Sequence, residues 1–99
     1  MSIIVNLQIS VKPELRADFM SDFGDVVSVT RAIDACNWLY VTTNDETGKV
    51  EVVSHWNSRE DYDKYLQWRQ ETSFLVPMFE KYFSEDPVWR FLPVFMKFE

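Results

Sequence analysis

The sequence has few of the residues that build disulfides, metal centres and flexible turns. Its 99 residues include one cysteine, one histidine and two glycines. A single cysteine cannot form an internal disulfide, and one histidine with one cysteine does not supply the usual set of zinc ligands. We therefore expect neither a disulfide framework nor a metal site.

Basic residues are scarce as well. Ten Lys plus Arg stand against 16 Asp plus Glu, which gives a net charge of -6. Proteins that bind a phosphate backbone usually carry a clustered basic surface, so we expect no nucleic-acid partner. Residues 1–9 include Asn6 and Gln8, have no basic leader and are too short to span a bilayer, so we expect no membrane partner and a cytoplasmic location.

Apolar and aromatic residues, in contrast, are abundant. Hydrophobic residues make up 46% of the chain and aromatic residues 16%. A chain of this length buries only about two-thirds of its unfolded surface, so the apolar content exceeds what one small core requires. The excess predicts a subunit interface or an apolar pocket.

The first half of the chain predicts a strand, a helix and a hairpin. Residues 3–10 alternate between apolar and more polar positions, which is typical of a strand. Pro13 and Glu14 suit the first turn of a helix. The sequence does not fix where this helix ends, because Gly24 and the β-branched run at 26–30 both disfavour helical structure. Residues 36–43 and 49–56 then predict two strands joined by a turn at Gly48.

The second half predicts a helical region and a final strand. Ser58 and Asp61 match a capping box, so a second helix is expected to begin there, with Tyr62, Tyr65 and Arg69 facing inward. A last strand is expected over residues 88–98, with Pro93 at an edge or bulge. Between them lies a further apolar helical segment that carries Phe74, Leu75, Met78, Phe79, Tyr82 and Phe83.

The order βαββαβ predicts an α+β fold of the ferredoxin-like type, in which helices cover one face of a four-stranded antiparallel sheet. The other face then remains bare and still carries large apolar side chains. Two such sheets packed face to face would cover it, so we expect a homodimer, with a pocket for a small ligand between each sheet and its helices.

Three stretches of the sequence carry a family resemblance. They are IIVNLQISVKPEL near the start, Ala35-Cys36 at the second strand, and HWNSREDYDKYL from His55 to Leu66. With them the chain resembles the antibiotic biosynthesis monooxygenase (ABM) domain family of dimeric α+β barrels, as a single domain over residues 1–99. The resemblance implies a homodimer whose final strand packs on the partner. Several members oxygenate aromatic polyketides or quinols with O2 and without metal or flavin, so the resemblance implies no cofactor.

The resemblance also implies roles for particular residues. Asn6, Trp56 and Tyr62 match pocket residues of the family, whereas Val52 stands where quinone-forming members have an asparagine. Haem-degrading members need a histidine near residues 74–75, and the sequence has Phe74 and Leu75 there. Haem degradation is therefore disfavoured, and a small aromatic or quinol-like ligand is favoured.

If the protein is an enzyme, three residues are the candidate catalytic groups. Asn6 would stabilise a substrate anion that reacts with O2, and Tyr62 or His55 would handle the proton. We expect Trp56, Tyr65 and Trp38 to hold the substrate ring.

Each of these residues also has a structural interpretation. Asn6 can face a dimer seam, and Trp56 and Tyr62 can be core residues. His55 and Trp56 are adjacent on one strand, so they should point to opposite faces and should not share one pocket. Arg69 would more ordinarily form surface ion pairs. A non-catalytic small-molecule-binding dimer therefore remains the alternative function.

Overall fold

A four-stranded antiparallel sheet with helices on one face forms the fold. The computed structural model describes residues 1–72 and 75–98. The strands pair in the order β2-β3-β1-β4, which is the ferredoxin-like order. The elements are β1 (Ile3–Ser10), α1 (Arg16–Arg31), β2 (Cys36–Thr43), β3 (Lys49–Trp56), α2 (Arg59–Glu71), α3 (Leu75–Tyr82) and β4 (Val88–Pro93). The predicted α+β ferredoxin-like class is confirmed.

The serine cap predicted at Ser58 is present, although the Asp61 carboxylate accepts from the Ser58 hydroxyl and not from its backbone N–H, as it would in a complete capping box. The Ser58 hydroxyl oxygen accepts a hydrogen bond from the Asp61 backbone N–H at 3.1 Å. The hydroxyl also lies 3.0 Å from the Asp61 carboxylate, to which it donates. These bonds satisfy a backbone donor that helix geometry leaves free, so they explain why α2 begins directly after Ser58.

Helix α1 is longer than its local sequence alone would favour. A 3-10 turn over Pro13–Leu15 precedes it, and it continues through Gly24 to Arg31. The β-branched side chains of Val26 and Thr30 are buried against the rest of the fold. Burial of this face outweighs the modest helical disadvantage of these residues, because tertiary packing supplies most of a helix's stability.

Strand β4 is shorter than predicted. It ends at Pro93 and does not continue to residue 98. Proline has no N–H to donate to a ladder, and β4 is an edge strand, as the position of Pro93 led us to expect. The segment predicted between α2 and β4 forms α3 as a separate helix, and Phe74 lies outside the residues that the structure describes.

Strand β2 contains an irregularity near its start. Cys36 pairs with Trp56 and Trp38 pairs with His55, so Asn37 is an extra residue on β2. This is the pattern of a β-bulge. Because of it, Cys36 is buried under the helices although Trp38, two residues later, lies on the opposite face of the sheet.

The helices cover only one face of the sheet, which we call the inner face. On β1 the inner residues are Ile3, Val5, Leu7 and Ile9, and they pack against residues such as Phe19 of α1. Ile4, Asn6, Gln8 and Ser10 project to the other side, here called the outer face. Within residues 1–72 and 75–98, no helix is long and apolar enough to cross a membrane.

The two glycines provide a matched test of backbone conformation. Gly48 has φ +74°, in the region that side chains rarely adopt, whereas Gly24 lies in α1 with nothing within 4 Å of an added Cβ. We expect Gly48→Ala to lower the free energy of unfolding by about 1 kcal/mol and Gly24→Ala to raise it by about 0.5–1 kcal/mol. Urea unfolding of the two variants checks this, and shifts of the same sign would contradict it.

Candidate functional site

A narrow cavity lies between the inner face of the sheet and the helices. Its volume is about 60 Å³, and its walls come from strands β1 to β4 and helices α1 to α3. Most lining side chains are aliphatic or aromatic, and the described residues that line it include no charged side chain. The hydroxyl groups at its wall belong to Thr30, Ser54, Tyr62 and Tyr65.

Trp56 lies at the centre of this wall. Its side chain is fully buried, and its ring meets that of Tyr62 edge-to-face at 5.0 Å and that of Tyr65 at 5.1 Å. The Trp56 indole N–H donates to the Ser54 hydroxyl at 2.8 Å. Strand β3 and helix α2 therefore bring together Trp56, Tyr62 and Tyr65, three of the candidate site residues.

Tyr62 carries a buried phenol. Its oxygen accepts a hydrogen bond from the indole N–H of Trp89 on β4 at 3.1 Å. Burial raises the pKa of Tyr62 well above its ordinary value, and the Trp89 hydrogen bond offsets this only in part. The phenol therefore stays neutral at physiological pH, where it is a hydrogen-bond donor and not a base.

The hydroxyl of Tyr65 is tied to a network between α1 and α2. It accepts from Arg69 Nε at 3.0 Å and lies 2.7 Å from the Thr30 hydroxyl. Thr30 donates to the Val26 carbonyl, so its oxygen is left to accept the Tyr65 proton. Tyr65 consequently presents its ring, and not a free hydroxyl proton, to the cavity.

The structure corrects the expectation for Arg69. Its side chain is only 5% exposed, so it lies inside the fold, on the inward side of α2 that the helical spacing predicted, and not at the surface. Its guanidinium donates to the Val26 carbonyl at 3.0 Å and to the Thr30 hydroxyl at 3.1 Å. Arg69 thus joins α2 to α1 directly behind Tyr65.

Asn6, His55 and Trp38 lie on the outer face and do not line the cavity. Successive side chains of a strand point to opposite faces, and Val5 and Leu7, the neighbours of Asn6, both face inward. The predicted separation of His55 from Trp56 is confirmed for the same reason. The six candidate site residues therefore divide between the two sides of the sheet.

On the outer face, Asn6 belongs to a polar cluster at the centre of the sheet. The side-chain amides of Asn6 and Gln8 both donate to one oxygen of Glu51, each at 3.2 Å. The Asn6 side-chain carbonyl is buried, and no donor for it lies among residues 1–72 and 75–98. Buried polar atoms without a partner are rare in native proteins, so this oxygen indicates a further contact at the outer face.

His55 is covered by β2. Its ring stacks on Trp38 at a centroid distance of 5.7 Å, and the Asn37 amide lies 3.3 Å from its Nδ1. Cys36 is buried on the inner side, where burial raises the pKa of its thiol despite the nearby Arg31. Cys36 is therefore a packing residue and not an activated nucleophile.

The cavity is smaller than an aromatic substrate requires. An apolar cavity of roughly 150 Å³ accommodates benzene, and this one has about 60 Å³. Several lining residues, among them Phe79 and Trp89, are only partly buried. Binding of a flat ring therefore requires side chains of the cavity wall to move.

The sequence did not lead us to Ser54 as a cavity residue, although it lies two residues before Trp56 and alternation therefore puts both on the same face of β3. The size of Trp89 indicates a residue that could fill the pocket, but its bond to Tyr62 joins residues 27 positions apart and was not predictable.

Comparison with known proteins gives a consistent result. The sequence model described as "Antibiotic biosynthesis monooxygenase" matches residues 2–75. A search of the curated proteins finds no match.

Solved structures match over almost the whole chain. Rv0793 from Mycobacterium tuberculosis has a TM-score of 0.82 and 15% identity, with 98% of each chain covered. A structure described as an antibiotic biosynthesis monooxygenase has a TM-score of 0.80 and 18% identity, covering 93% of this chain and 97% of its own. A conserved protein from Methanosarcina mazei Go1 has a TM-score of 0.79 and 16% identity, covering 92% and 90%. At these identities the likeness shows the fold.

The raised pKa of Tyr62 predicts a pH-dependent loss of stability. Above pH about 10 the unfolded chain releases this proton while the folded protein retains it, so folding free energy is lost at up to about 1.4 kcal/mol per pH unit. Tyr62→Phe should remove this contribution and leave a shallower slope, because the raised pKa values of Cys36 and Tyr82 still contribute to the loss. Urea unfolding at several pH values above 10 measures the slope. Equal slopes in wild type and Tyr62→Phe would contradict the prediction.

Proposed function

The chain belongs to the antibiotic biosynthesis monooxygenase family, and we propose that it is a cofactor-independent monooxygenase whose small aromatic or quinol-like substrate binds in the inner cavity. One observation carries the proposal. A buried, neutral phenol, that of Tyr62, lies at the wall of an otherwise largely apolar cavity with aromatic sides. The chemistry of its walls suits a flat ring that carries one or two polar atoms, once the cavity has widened.

The proposed reaction needs no electrons beyond those of the substrate. In an anthrone-like substrate, a ring CH2 group that is conjugated with a carbonyl through an aromatic ring loses a proton to give a phenolate-like enolate, which transfers electrons to O2. The CH2 becomes C=O, one oxygen atom of O2 enters the product, and the other leaves as water. The step that the protein can assist most directly is the build-up of negative charge on the carbonyl oxygen.

We assign separate roles in this step to the side chains of the inner cavity. Tyr62 would donate a hydrogen bond to the developing oxyanion, because its phenol is neutral and buried. Trp56 and Tyr65 would hold the ring plane from β3 and α2. Asn6 and His55 lie on the other face of the sheet, so we assign them to subunit contact and not to this reaction.

Two observations favour a second function, that of a non-catalytic binding protein. Val52 stands where an asparagine would add a donor, and the cavity of about 60 Å³ must widen before a ring can enter. In that case the protein would bind the same ligands without consuming O2.

Oxygen uptake separates the two functions. We expect aerobic incubation with a panel of quinols and anthrone-like phenols to consume O2 above background for at least one compound. Loss of one oxyanion donor in Tyr62→Phe should then lower kcat by about 100-fold. Val29→Ala, at an exposed site on α1, should retain the wild-type rate. Binding of these compounds with no O2 consumption would contradict the oxygenase proposal.

We further propose that the outer face packs on a second copy of the chain to form a dimeric barrel. Tyr40, Val88 and Leu92 are 64%, 47% and 49% exposed, and Phe95 and Phe98 beyond β4 are about 90% exposed. The buried Asn6 carbonyl without a donor among the described residues lies on the same face. A symmetric partner would cover both features.

The dimer predicts a sedimentation mass of two chains at micromolar concentration. Leu92→Glu places a charge on the outer face of both copies, so we expect the dimer dissociation constant to rise by at least about 100-fold. Val29→Glu makes the same chemical change at an exposed position of α1 and should leave the dimer intact. A wild-type protein that sediments as one chain would refute the dimer.

A further inference from the structure

Two tryptophans at the inner cavity hold two hydroxyl groups in the same way. The Trp56 indole N–H donates to Ser54 at 2.8 Å, and the Trp89 indole N–H donates to Tyr62 at 3.1 Å. An indole N–H can only donate, so each hydroxyl oxygen serves as acceptor. The proton of each hydroxyl is thereby left for another partner.

Neither proton has an acceptor among the residues that the structure describes. Ser54 is 3% exposed and Tyr62 is 4% exposed, so solvent does not readily supply one. The other two hydroxyls of the cavity differ, because Tyr65 donates to Thr30 and Thr30 donates to the Val26 carbonyl. Buried donors in native proteins are nearly always paired, so two unused donors at one cavity call for an acceptor inside it.

Ser54 and Tyr62 also contact the same indole. Trp56 binds Ser54 through its N–H and meets the ring of Tyr62 edge-to-face at 5.0 Å. Ser54 and Tyr62 both line the cavity. Because no charged side chain lines it among the described residues, an uncharged acceptor fits it better than an ion.

We propose that Ser54 and Tyr62 form a two-donor site for the carbonyl oxygen of an aromatic ketone, which makes Ser54 a second substrate-positioning group. This inference rests on the proposed function in taking the inner cavity as the substrate site. A carbonyl oxygen has two lone pairs and accepts two donors. The same donors stabilise the oxyanion when the conjugated CH2 loses its proton.

Two ligands of matched shape test the site. 1-Indanone and indane share one ring skeleton, and only 1-indanone carries a carbonyl. We expect the wild-type protein to bind 1-indanone more tightly than indane, and Ser54→Ala to reduce this preference about tenfold. Ser54→Thr retains the hydroxyl and should retain the preference.

An infrared measurement reads the hydrogen bond itself. The carbonyl stretch of bound 1-indanone should lie below its value in hexane, and it should rise in both Ser54→Ala and Tyr62→Phe. A change of packing alone would not move this frequency. Ser54→Ala removes the acceptor of the Trp56 N–H and could fail to fold. In that case the carbonyl stretch in the wild-type protein and in Tyr62→Phe still tests the two-donor site.

The results that overturn the inference are distinct from those that overturn the oxygenase. Any of three results overturns the two-donor site. They are a carbonyl stretch of bound 1-indanone equal to its value in hexane, no binding of 1-indanone to the wild-type protein, and an unchanged preference for 1-indanone over indane in folded Ser54→Ala. Carbonyl recognition without O2 uptake from any quinol or anthrone-like phenol leaves the site in place and overturns the oxygenase.

Discussion

The structure depends on one geometric constraint, which is that a strand sends alternate side chains to opposite faces and that helices cover only one face of this sheet. Strand β3 carries Ser54 and Trp56 on the inner face and His55 on the outer face, and β1 carries Asn6 on the outer face. The constraint therefore puts Trp56 beside Tyr62 of α2 in the inner cavity and keeps Asn6 and His55 out of it.

Local signals made much of the fold predictable from the sequence. The bounds of β1 to β3 follow from alternation and from the turn at Gly48, and the start of α2 follows from Ser58. The length of α1 and the end of β4 were harder, because burial of Val26 and the edge position of Pro93 depend on neighbours distant in the chain. Hydrophobic periodicity predicted a helical segment between α2 and β4, but it did not show that this segment forms a helix separate from α2.

The site was predictable only in part. The family phrase identified Trp56 and Tyr62 by residue type, and the structure brings them together. Residue type does not fix the face, however, so the match at Asn6 did not reveal that its amide joins Glu51 on the far side. Helical spacing predicted that Arg69 faces inward, but its bonds to Tyr65 and to the Val26 carbonyl depend on how α2 packs on α1, which the sequence does not show.

The bulge at Asn37 has a consequence for comparing this chain with its relatives. One residue of β2 has no counterpart on β3. Cys36 therefore faces the side of the sheet opposite to the one that strict alternation from the rest of β2 would give it. A gap-free alignment with a relative that lacks the extra residue would equate an enclosed position with an open one. At 15% identity, the placement of one gap then decides which residues of two proteins are equivalent.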